Sequence, residues 1–452
     1  MYGRILALTL CLALLAACAP IDANIADLLT PPRINQRQTQ VEQALSQHIS
    51  LGDIQPQSPR EGDYRSPFVF SDMDGDGLSK ALVFFTSAQS GGGIRVKVLK
   101  EQPGGEWLLV DDRAGFGDTV QIVRFANLLT PESRNLLVGW EDSATGRRRL
   151  EVFSYRGGRL QSLFQDYYTV FEIDRFLPGP LEQVALVHQD QLGNHQLELL
   201  GRTPDGRLTA VGETELSTDI SQVLSLTKGV MRPGVNGIFV DARLTEFQMA
   251  TEIFEVSRDE LFPLVAASDH EVIDILYRQT HRPLNPFLFS VDLRGNGRVL
   301  VPVPHEDELP GLVAEPEEME DEPERLRLTL FMGYDYAGVL EVVDTAIVNQ
   351  EAGYLFFFPP QWVGYVTVQR RPERNDWQFF EVNPLTNLPY IELMRIRADS
   401  IQDYRDEYLE GYVHLADRGI LRYYGYLPQN RSPLAITEEE MLASFMLLRG
   451  RR

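Results

Sequence analysis

Short apolar runs separated by polar turns account for most of the chain after residue 60. The first pair lies in FVFSDMDGDGLSKALVFF, residues 68–85, where two apolar runs flank an acidic turn that contains glycine. Short apolar runs bounded by turn residues are typical of buried β-strands. The pattern therefore predicts a β-hairpin that is closed by a tight acidic elbow.

Similar pairs of apolar runs recur along the chain. They occupy residues 120–140, 170–188, 223–240 and 287–303. The first four pairs follow one another at about fifty residues, and each is followed by a second pair of strand-like runs. A repeat of this length with four strands is typical of a β-propeller blade. The sequence therefore predicts a mainly β protein, in which residues 63–350 form a β-propeller of about five four-stranded blades.

The pattern changes after residue 350. The runs in GYLFFFPPQWVGYVTVQRR, residues 353–371, and in the segments that follow are longer and lack an acidic elbow. We expect residues 351–452 to form a small C-terminal α+β domain; the alternative is that these strands form a sixth blade. Near the end, Thr437 and Glu440 have the spacing of a helix capping box.

Two other segments have helical spacing. Val41, Ala44 and Leu45 recur at that spacing within Gln36 to Ile49, which predicts an amphipathic helix packed on the first domain. Residues 268–282 predict a short helix or an insertion after the fourth blade. Between residues 306 and 324 the chain has ten acidic side chains in nineteen positions, which is typical of a solvated loop.

The N-terminus has the pattern of an export signal. Arg4 precedes an apolar run from residue 5 to residue 17, and the run ends in Leu15-Ala16-Ala17-Cys18. This run is shorter than the roughly 20 residues that a membrane span requires. The pattern resembles a bacterial lipoprotein signal with a lipobox. It predicts a signal peptide over residues 1–17, lipidation of Cys18 and a tether with a short amphipathic helix up to residue 62.

These features predict a protein held by lipid at the extracytoplasmic face of a bacterial membrane. The only other cysteine, Cys11, lies within the signal, so the mature chain has no internal disulfide and no thiol nucleophile. The net charge is -23 and the sequence pI is about 4.8, so a phosphate backbone would be repelled. We therefore expect the membrane as a partner through the lipid, and no nucleic acid.

Several sequence motifs resemble those of known protein families. SDMDGDGLSKALV, residues 71–83, resembles the FG-GAP or VCBS repeats that also form the propellers of integrin α-chains. Residues 27–35, 62–77, 285–297 and 353–371 are similar to segments of uncharacterised surface lipoproteins of Gram-positive bacteria. Within the last segment, GYLFFFPPQWVGYV resembles the opening of small PsbP-like or Mog1-like domains. The resemblance implies a propeller fold and a surface location rather than an activity.

The acidic elbow has part of a calcium-binding pattern. Asp72, Asp74 and Asp76 occupy the first, third and fifth positions of a calcium loop, Gly77 the sixth, and the carbonyl of Leu78 the seventh. The ninth position, usually aspartate in FG-GAP calcium loops, is Lys80. Two alternatives follow: weak calcium binding with Lys80 turned outward, or direct neutralisation of the aspartates by Lys80.

A later elbow, DLRGNG at 292–297, keeps only the first acid. Arg294 and Asn296 replace the acids at the third and fifth positions. We therefore expect no calcium there.

Familiar catalytic motifs are absent from the sequence. It contains no G-x-S-x-G, no H-E-x-x-H, no Walker loop and no dinucleotide fingerprint. His188 and His195 flank a turn, where surface positions are commoner than a zinc site. We therefore favour a non-enzymatic protein and name no catalytic residue.

Three hypotheses for function remain. The leading one is a binding or scaffold module for a protein, peptide or glycan, because a propeller holds variable loops on a rigid frame. The second is a hydrolase or lyase acting on envelope or other polysaccharide, which would require a facing pair of carboxylates with aromatic walls in the central funnel. The third is an assembly factor for exported proteins, which would require an exposed apolar groove between the two domains.

Overall fold

The computed structural model describes residues 36–49, 54–87, 91–258, 260–285, 288–311, 326–334, 339–371, 376–400 and 410–448. The expected signal peptide, Cys18 and the tether up to residue 35 lie outside these ranges, as do the acidic residues between 312 and 325. No helix within the described ranges is long and apolar enough to cross a bilayer.

Five successive antiparallel sheets form the blades of a β-propeller. In the second, third and fourth sheets, four strands follow one another across the sheet in chain order, which is the arrangement of a propeller blade. The predicted mainly β fold, with about five blades and further C-terminal elements, is confirmed.

The strands of the first three blades are short and regular. The first sheet comprises β1 (Ile54–Pro56), β2 (Phe68–Ser71), β3 (Lys80–Ser87), β4 (Ile94–Glu101) and β5 (Trp107–Ala114). The second comprises β6 (Thr119–Ala126), β7 (Asn135–Asp142), β8 (Arg147–Arg156) and β9 (Arg159–Tyr167). The third comprises β10 (Val170–Asp174), β11 (Gln183–Gln189), β12 (His195–Arg202) and β13 (Leu208–Glu215).

The fourth and fifth sheets carry additional strands. The fourth comprises β14 (Gln222–Arg232), β15 (Val235–Arg243), β16 (Gln248–Val256), β17 (Leu261–Val265) and β18 (Arg282–Pro283). The fifth comprises β19 (Leu300–Glu308), β20 (Arg327–Tyr334), β21 (Leu340–Asn349), β22 (Tyr354–Phe357) and the late strand β28 (Phe445–Leu447). Because β22 pairs with β21 and β28, backbone pairing crosses the boundary expected at residues 350 and 351.

A sixth sheet follows the blades. It comprises β23 (Val366–Arg371), β24 (Asp376–Val382), β25 (Pro389–Ser400), β26 (Tyr412–Arg418) and β27 (Leu421–Tyr426). Its order is β23-β24-β25-β27-β26, so β27 lies between β25 and β26. This order departs from the chain-order meander of the second, third and fourth blades.

Three helices complete the described structure: α1 (Gln36–Ser46), α2 (Glu271–Gln279) and α3 (Glu438–Ser444). The capping box predicted for the last helix is confirmed, with reciprocal hydrogen bonds between Thr437 and Glu440. The first helix ends at Ser46, three residues before the predicted Ile49. The amide of Ile49 still donates to the carbonyl of Leu45, so the chain leaves the helix through a tight turn.

Consecutive blades pack face to face through apolar side chains. Leu82 and Val96 of the first blade share a buried cluster with Val123 and Trp140 of the second. Similar clusters join the second blade to the third, the third to the fourth and the fourth to the fifth. Central strands such as β3 are therefore buried on both faces, which explains their continuous apolar runs.

The first and fifth blades have different neighbours at the ends of this series. Val41 and Leu45 of α1 pack on Ala81, Val83 and Trp107, and so cover the outer face of the first blade. The fifth sheet packs on the sixth sheet and α3. Among the described residues, no apolar cluster joins the first blade to the fifth.

Candidate functional site

The acidic elbow, residues 72–80, is organised by the carboxylate of Asp72. Its Oδ1 accepts a hydrogen bond from the amide of Gly75 at 3.0 Å, and its Oδ2 accepts one from the amide of Gly77 at 2.9 Å. Both glycines have positive φ values, 72° and 79°, which side chains with a Cβ adopt at a cost. The tight turn predicted from the sequence is therefore held by one carboxylate and two glycines.

The ammonium of Lys80 lies among the groups predicted to bind calcium. Lys80 Nζ lies 3.3 Å from Asp72 Oδ1, 2.6 Å from Asp76 Oδ1 and 2.9 Å from the carbonyl oxygen of Leu78. It also donates to Asp74 Oδ1. The side chain of Lys80 is fully buried. The four predicted ligands therefore converge on a nitrogen of the chain itself.

The electrostatic interactions in the elbow favour the charged forms of Lys80 and Asp76. Burial alone would lower the pKa of Lys80, but hydrogen bonds to Asp74 and Asp76 raise it above its ordinary value. Burial likewise opposes ionisation of Asp76, yet hydrogen bonds from Lys100 and Lys80 hold its pKa well below the usual range. Lys100 Nζ lies 2.8 Å from Asp76 Oδ2. Three carboxylates thus face two ammonium groups.

The elbow also contacts the second blade. The carbonyl oxygen of Met73 accepts a hydrogen bond from the amide of Arg134 at 2.9 Å. A Cβ on Gly75 would lie 2.5 Å from the carbonyl oxygen of Glu132, so the two backbones approach too closely for a side chain. The geometry of the elbow therefore affects how the first two blades are joined.

The second elbow, residues 292–298, repeats the backbone arrangement without the acid cluster. Asp292 Oδ1 accepts from the amide of Gly295 at 2.8 Å, and its Oδ2 accepts from the amide of Gly297 at 2.7 Å. Arg294 turns away and pairs with Asp344. The leading aspartate and Asn296, whose Oδ1 accepts from the amide of Arg298 at 3.0 Å, fold this turn without further carboxylates.

A cleft of about 770 Å³ lies between the second, third and fourth blades. Its walls come from the start of β10, the start of β14, the β7–β8 turn at residues 141–148 and the β11–β12 turn. β10 and β14 are edge strands that lie against each other, so the first strands of neighbouring blades meet there. The cleft was not predicted, because its walls are separated by up to 160 residues of chain.

The acids of the cleft are engaged in local contacts. Glu141 accepts from Arg148 Nε at 2.9 Å and from Arg60 Nη1 at 3.1 Å. Glu61 Oε1 accepts from Gln121 Nε2 at 2.7 Å. Asp190 Oδ1 accepts two backbone amides of its own turn. Each of these carboxylates therefore has a structural partner.

The wall formed by the β9–β10 connection is aromatic. Tyr167 is 44% exposed, and the guanidinium of Arg147 lies 5.2 Å from its ring centroid. Tyr168 is buried against Gly139, where a Cβ would lie 2.3 Å from the tyrosine hydroxyl. Burial raises the pKa of Tyr168, and its hydroxyl has no hydrogen-bond partner among the described residues. The cleft thus combines a half-exposed aromatic ring with paired charges.

A second, mainly apolar cleft of about 300 Å³ lies between β14, residues 288–293 and strands β22 and β28. It joins residues of the propeller to residues of the expected C-terminal domain. Its volume is less than half that of the first cleft.

A buried polar cluster connects the third and fourth blades. Glu252 of β16 accepts hydrogen bonds from the hydroxyl and amide of Ser217, in the loop after β13. In the same region the hydroxyl of Tyr277 donates to Asp219. Burial raises the pKa of Glu252 to about 7, although the hydrogen bonds from Ser217 oppose the shift. No sequence pattern indicates this cluster, because Ser217 and Glu252 are 35 residues apart and meet only in the folded chain.

The two histidines singled out from the sequence do not form a metal site in the described structure. His188 lies 4.0 Å from Glu198, whereas His195 is buried and faces Gln189. The expectation of two surface histidines is wrong for His195, because it lies on the same face of β12 as Leu197 and Leu199, which are buried against the fourth blade. Within the described ranges, only Asp72, Asp74 and Asp76 bring three ligand atoms close enough for a metal, within 4.8 Å of one another.

Comparison with known proteins gives structural similarity at low identity. The sequence matches no protein-family model and no curated protein. The chain is similar to the Dos1 propeller, at 13% identity and a TM-score of 0.30, over 66% of this chain and 64% of that one. It is also similar to the exotype rhamnogalacturonan lyase YesX, at 8% identity and a TM-score of 0.31, over 75% and 73% of the two chains.

A third similar structure is Sqt1 from Chaetomium thermophilum, at 11% identity and a TM-score of 0.30, over 78% of this chain and 93% of that one. The chain spans less than two thirds of the length of the Dos1 propeller. The fold assignment rests on the strand pairing of this chain itself.

Proposed function

We propose that this protein is a binding module, held by lipid on Cys18 at the extracytoplasmic face of a bacterial membrane, whose ligand lies in the 770 Å³ cleft between the second, third and fourth blades. The observation that carries the proposal is the composition of this cleft: an exposed aromatic ring, and acids that are already engaged. Its volume falls in the range of about 300–1,000 Å³ that is typical of small-molecule sites.

The state of the carboxylates favours binding over glycoside hydrolysis. Glycosidases use two carboxyl groups that face the scissile bond and are free to exchange protons. Glu141, by contrast, is held by two guanidinium groups, and Asp190 by the amides of its own turn. Neither arrangement leaves a carboxylate available as a general acid or base. The polysaccharide-active enzyme remains the alternative.

Within this proposal the ligand is a glycan. The guanidinium of Arg147 lies over the half-exposed ring of Tyr167, so a sugar would stack on the uncovered part of the ring and accept hydrogen bonds from Arg147. Acidic and basic side chains are interspersed around the cleft, so neither strongly anionic nor strongly cationic ligands are favoured. A peptide would fit the same volume, and the experiment below distinguishes the two.

The location follows from the lipobox. A lipid anchor restricts the module to the envelope, where glycans are abundant. The resemblance of residues 71–83 to FG-GAP or VCBS repeats supports the same location, since it implies a propeller at the cell surface.

The third hypothesis, an assembly factor, has less support. The apolar cleft beside β28 joins the propeller to the expected C-terminal domain, but about 300 Å³ is small for a segment of an unfolded client. We therefore do not propose this function.

Binding of soluble oligosaccharides and of peptides to the detergent-solubilised protein, measured by calorimetry, tests the proposal. We expect oligosaccharides to bind and Tyr167→Ala to weaken binding about tenfold, because stacking on an aromatic ring contributes roughly 1–2 kcal/mol. Tyr365→Ala is the matched control, since Tyr365 is 57% exposed in the C-terminal region away from the cleft.

Equal affinity of Tyr167→Ala and the wild type would place the ligand elsewhere. Binding of peptides alone would replace the glycan by a peptide as the ligand. Shortened products after incubation with an oligosaccharide would favour the enzyme.

A further inference from the structure

The position of Lys80 in the first elbow has a structural cause. Lys80 pairs with Ser71 on one side and with Lys100 on the other, so its backbone is fixed within the sheet. Side chains alternate along a strand. Ala81 packs under α1, and Lys80 therefore points to the opposite face, toward the second blade. There its Nζ lies 5.5 Å from the ring centroid of Tyr155, a member of the inter-blade core.

This direction excludes the arrangement that calcium would need. The four oxygens that would coordinate the ion all lie within hydrogen-bond distance of Nζ. A divalent ion at their centre would lie in contact with the ammonium, and the two charges would repel strongly in a buried place. To make room for the ion, the side chain of Lys80 would have to turn into the apolar contact between the first two blades. The oxygen set suits calcium, but the chain with Lys80 in place does not fit it.

The second elbow shows which groups the turn itself requires. Asp292, its two glycines and Asn296 fold that turn, and Asn296 Oδ1 accepts from the amide of Arg298 as Asp76 Oδ1 accepts from the amide of Leu78. Arg294 stands at the position of Asp74 and a neutral amide at that of Asp76, so the negative charges of Asp74 and Asp76 exceed what the turn requires. Three clustered carboxylates repel one another unless a cation lies between them, and Lys80 supplies that cation.

We propose that Lys80 is the built-in cation of the first elbow, where it takes the position of a calcium ion and makes the junction of the first two blades independent of calcium. The aspartates and the Leu78 carbonyl are thus a calcium site in which the chain's own ammonium has replaced the metal. Removal of the ammonium restores the site. This inference does not depend on the proposed glycan ligand, which lies in another part of the propeller.

The test compares thermal unfolding with calcium and with a chelator for three proteins. The wild type is expected to unfold at the same temperature in both. Lys80→Met is expected to unfold at a lower temperature in chelator, and about 10 mM calcium, roughly tenfold above the weak range of extracellular sites, is expected to raise its Tm by about 2–4 °C. Lys80→Asp, which adds a ligand at the ninth position, is expected to show a larger rise.

Lys97→Met is the matched control. Lys97 is also a nearly buried lysine of the same sheet, and it pairs with Asp112 on the neighbouring strand. Its replacement is expected to lower the Tm without any rescue by calcium. In Lys80→Asp, the further change Asp74→Asn is expected to abolish the rescue.

A calcium-dependent Tm shift of the wild type would overturn the proposal, and so would the absence of rescue in Lys80→Asp. A second measurement covers the case in which the variants do not fold. In wild-type protein labelled with ¹⁵N-lysine, a buried and hydrogen-bonded Lys80 is expected to give a slowly exchanging ammonium resonance that calcium does not shift. Its displacement by calcium would likewise contradict the proposal.

Discussion

Asp72 and Asp292 show how one side chain determines a turn. Each accepts the amides of the two glycines that follow it, one with each oxygen, and the surrounding acids differ. Alternating aspartates in a sequence therefore carry two separate signals. The leading aspartate, its glycines and a side-chain oxygen at the fifth position predict the turn, whereas the number of further carboxylates bears on whether the loop could hold a metal.

The carboxyl group of Glu252 has a strongly raised pKa. Its pKa is raised from 4.5 to about 7 by burial, so the folded state binds its proton more tightly than the unfolded state. The contribution of Glu252 to the free energy of unfolding is therefore greatest below pH 4.5, and it falls as the pH rises to 7. The full loss is about 3 kcal/mol, because each pKa unit corresponds to about 1.4 kcal/mol.

Glu252→Gln is expected to remove this loss. Glutamine keeps an oxygen that can accept from Ser217 but does not ionise. Compared with the wild type, the variant should be more stable in urea at pH 8 and closer to it at pH 5. Glu255→Gln, on the same strand with an exposed partner Arg232, provides the control. An unchanged difference between wild type and Glu252→Gln across this pH range would show that Glu252 remains ionised in the fold.

Residues near one another in sequence were predictable, and distant partners were not. The apolar runs of β3 and the capping box of α3 follow from local spacing. Lys80 was recognised as the unusual residue of the elbow, yet sequence left open whether it turns inward, because that depends on which face of β3 meets the second blade. The Ser217–Glu252 contact and the cleft wall at Tyr167 depend entirely on how blades pack, which the sequence pattern does not specify.

At the scale of elements, α1 closes a face that would otherwise be exposed. The first blade packs on the second through one face, and its other face carries Ala81, Val83 and Trp107. Within the described residues, no further sheet covers these side chains. The helix therefore stabilises the propeller, in addition to its place between the tether and the first blade.

Leu45→Ala tests the contribution of α1. Leu45 is 1% exposed, so its truncation is expected to lower the free energy of unfolding by about 2–4 kcal/mol through lost burial and a cavity. Gln43→Ala, at an exposed position of the same helix, is expected to have little effect. Urea unfolding measures both. Equal small changes in the two variants would mean that the helix contributes little to the stability of the first blade.

The sixth sheet shows where element-level prediction ends. Its strands were recognised from their length and the absence of acidic elbows. Their order, with β27 between β25 and β26, was not predicted, because strand order depends on pairing between distant residues. The pairing of β28 with β22 is not predicted for the same reason. The sequence pattern instead places the residues of β28 in the C-terminal helix.

At the scale of the whole molecule, the lipid proposed at Cys18 would determine where the propeller works. Seventeen residues, 19–35, separate Cys18 from α1 in the sequence. A lipid on Cys18 would confine the propeller to the neighbourhood of the membrane.

Cys18→Ala tests the anchor. Without the cysteine no lipid can be attached at the lipobox, so we expect the protein to move from the membrane fraction to the soluble exported fraction. Fractionation followed by immunodetection measures the change. Cys11→Ala leaves the lipobox intact and is the control. Quantitative retention of Cys18→Ala in the membrane fraction would contradict lipid anchoring.

The late strand β28 also affects the order in which the chain can fold during synthesis. It pairs with β22, about ninety residues earlier in the chain. At about 5–20 residues per second, the ribosome needs roughly 4–18 s to make the intervening segment. Throughout that interval the edge of β22 has no partner, and unpaired edges recruit strands from other chains. A chaperone that holds the chain until its C-terminus has been made would protect this edge until β28 can pair with it.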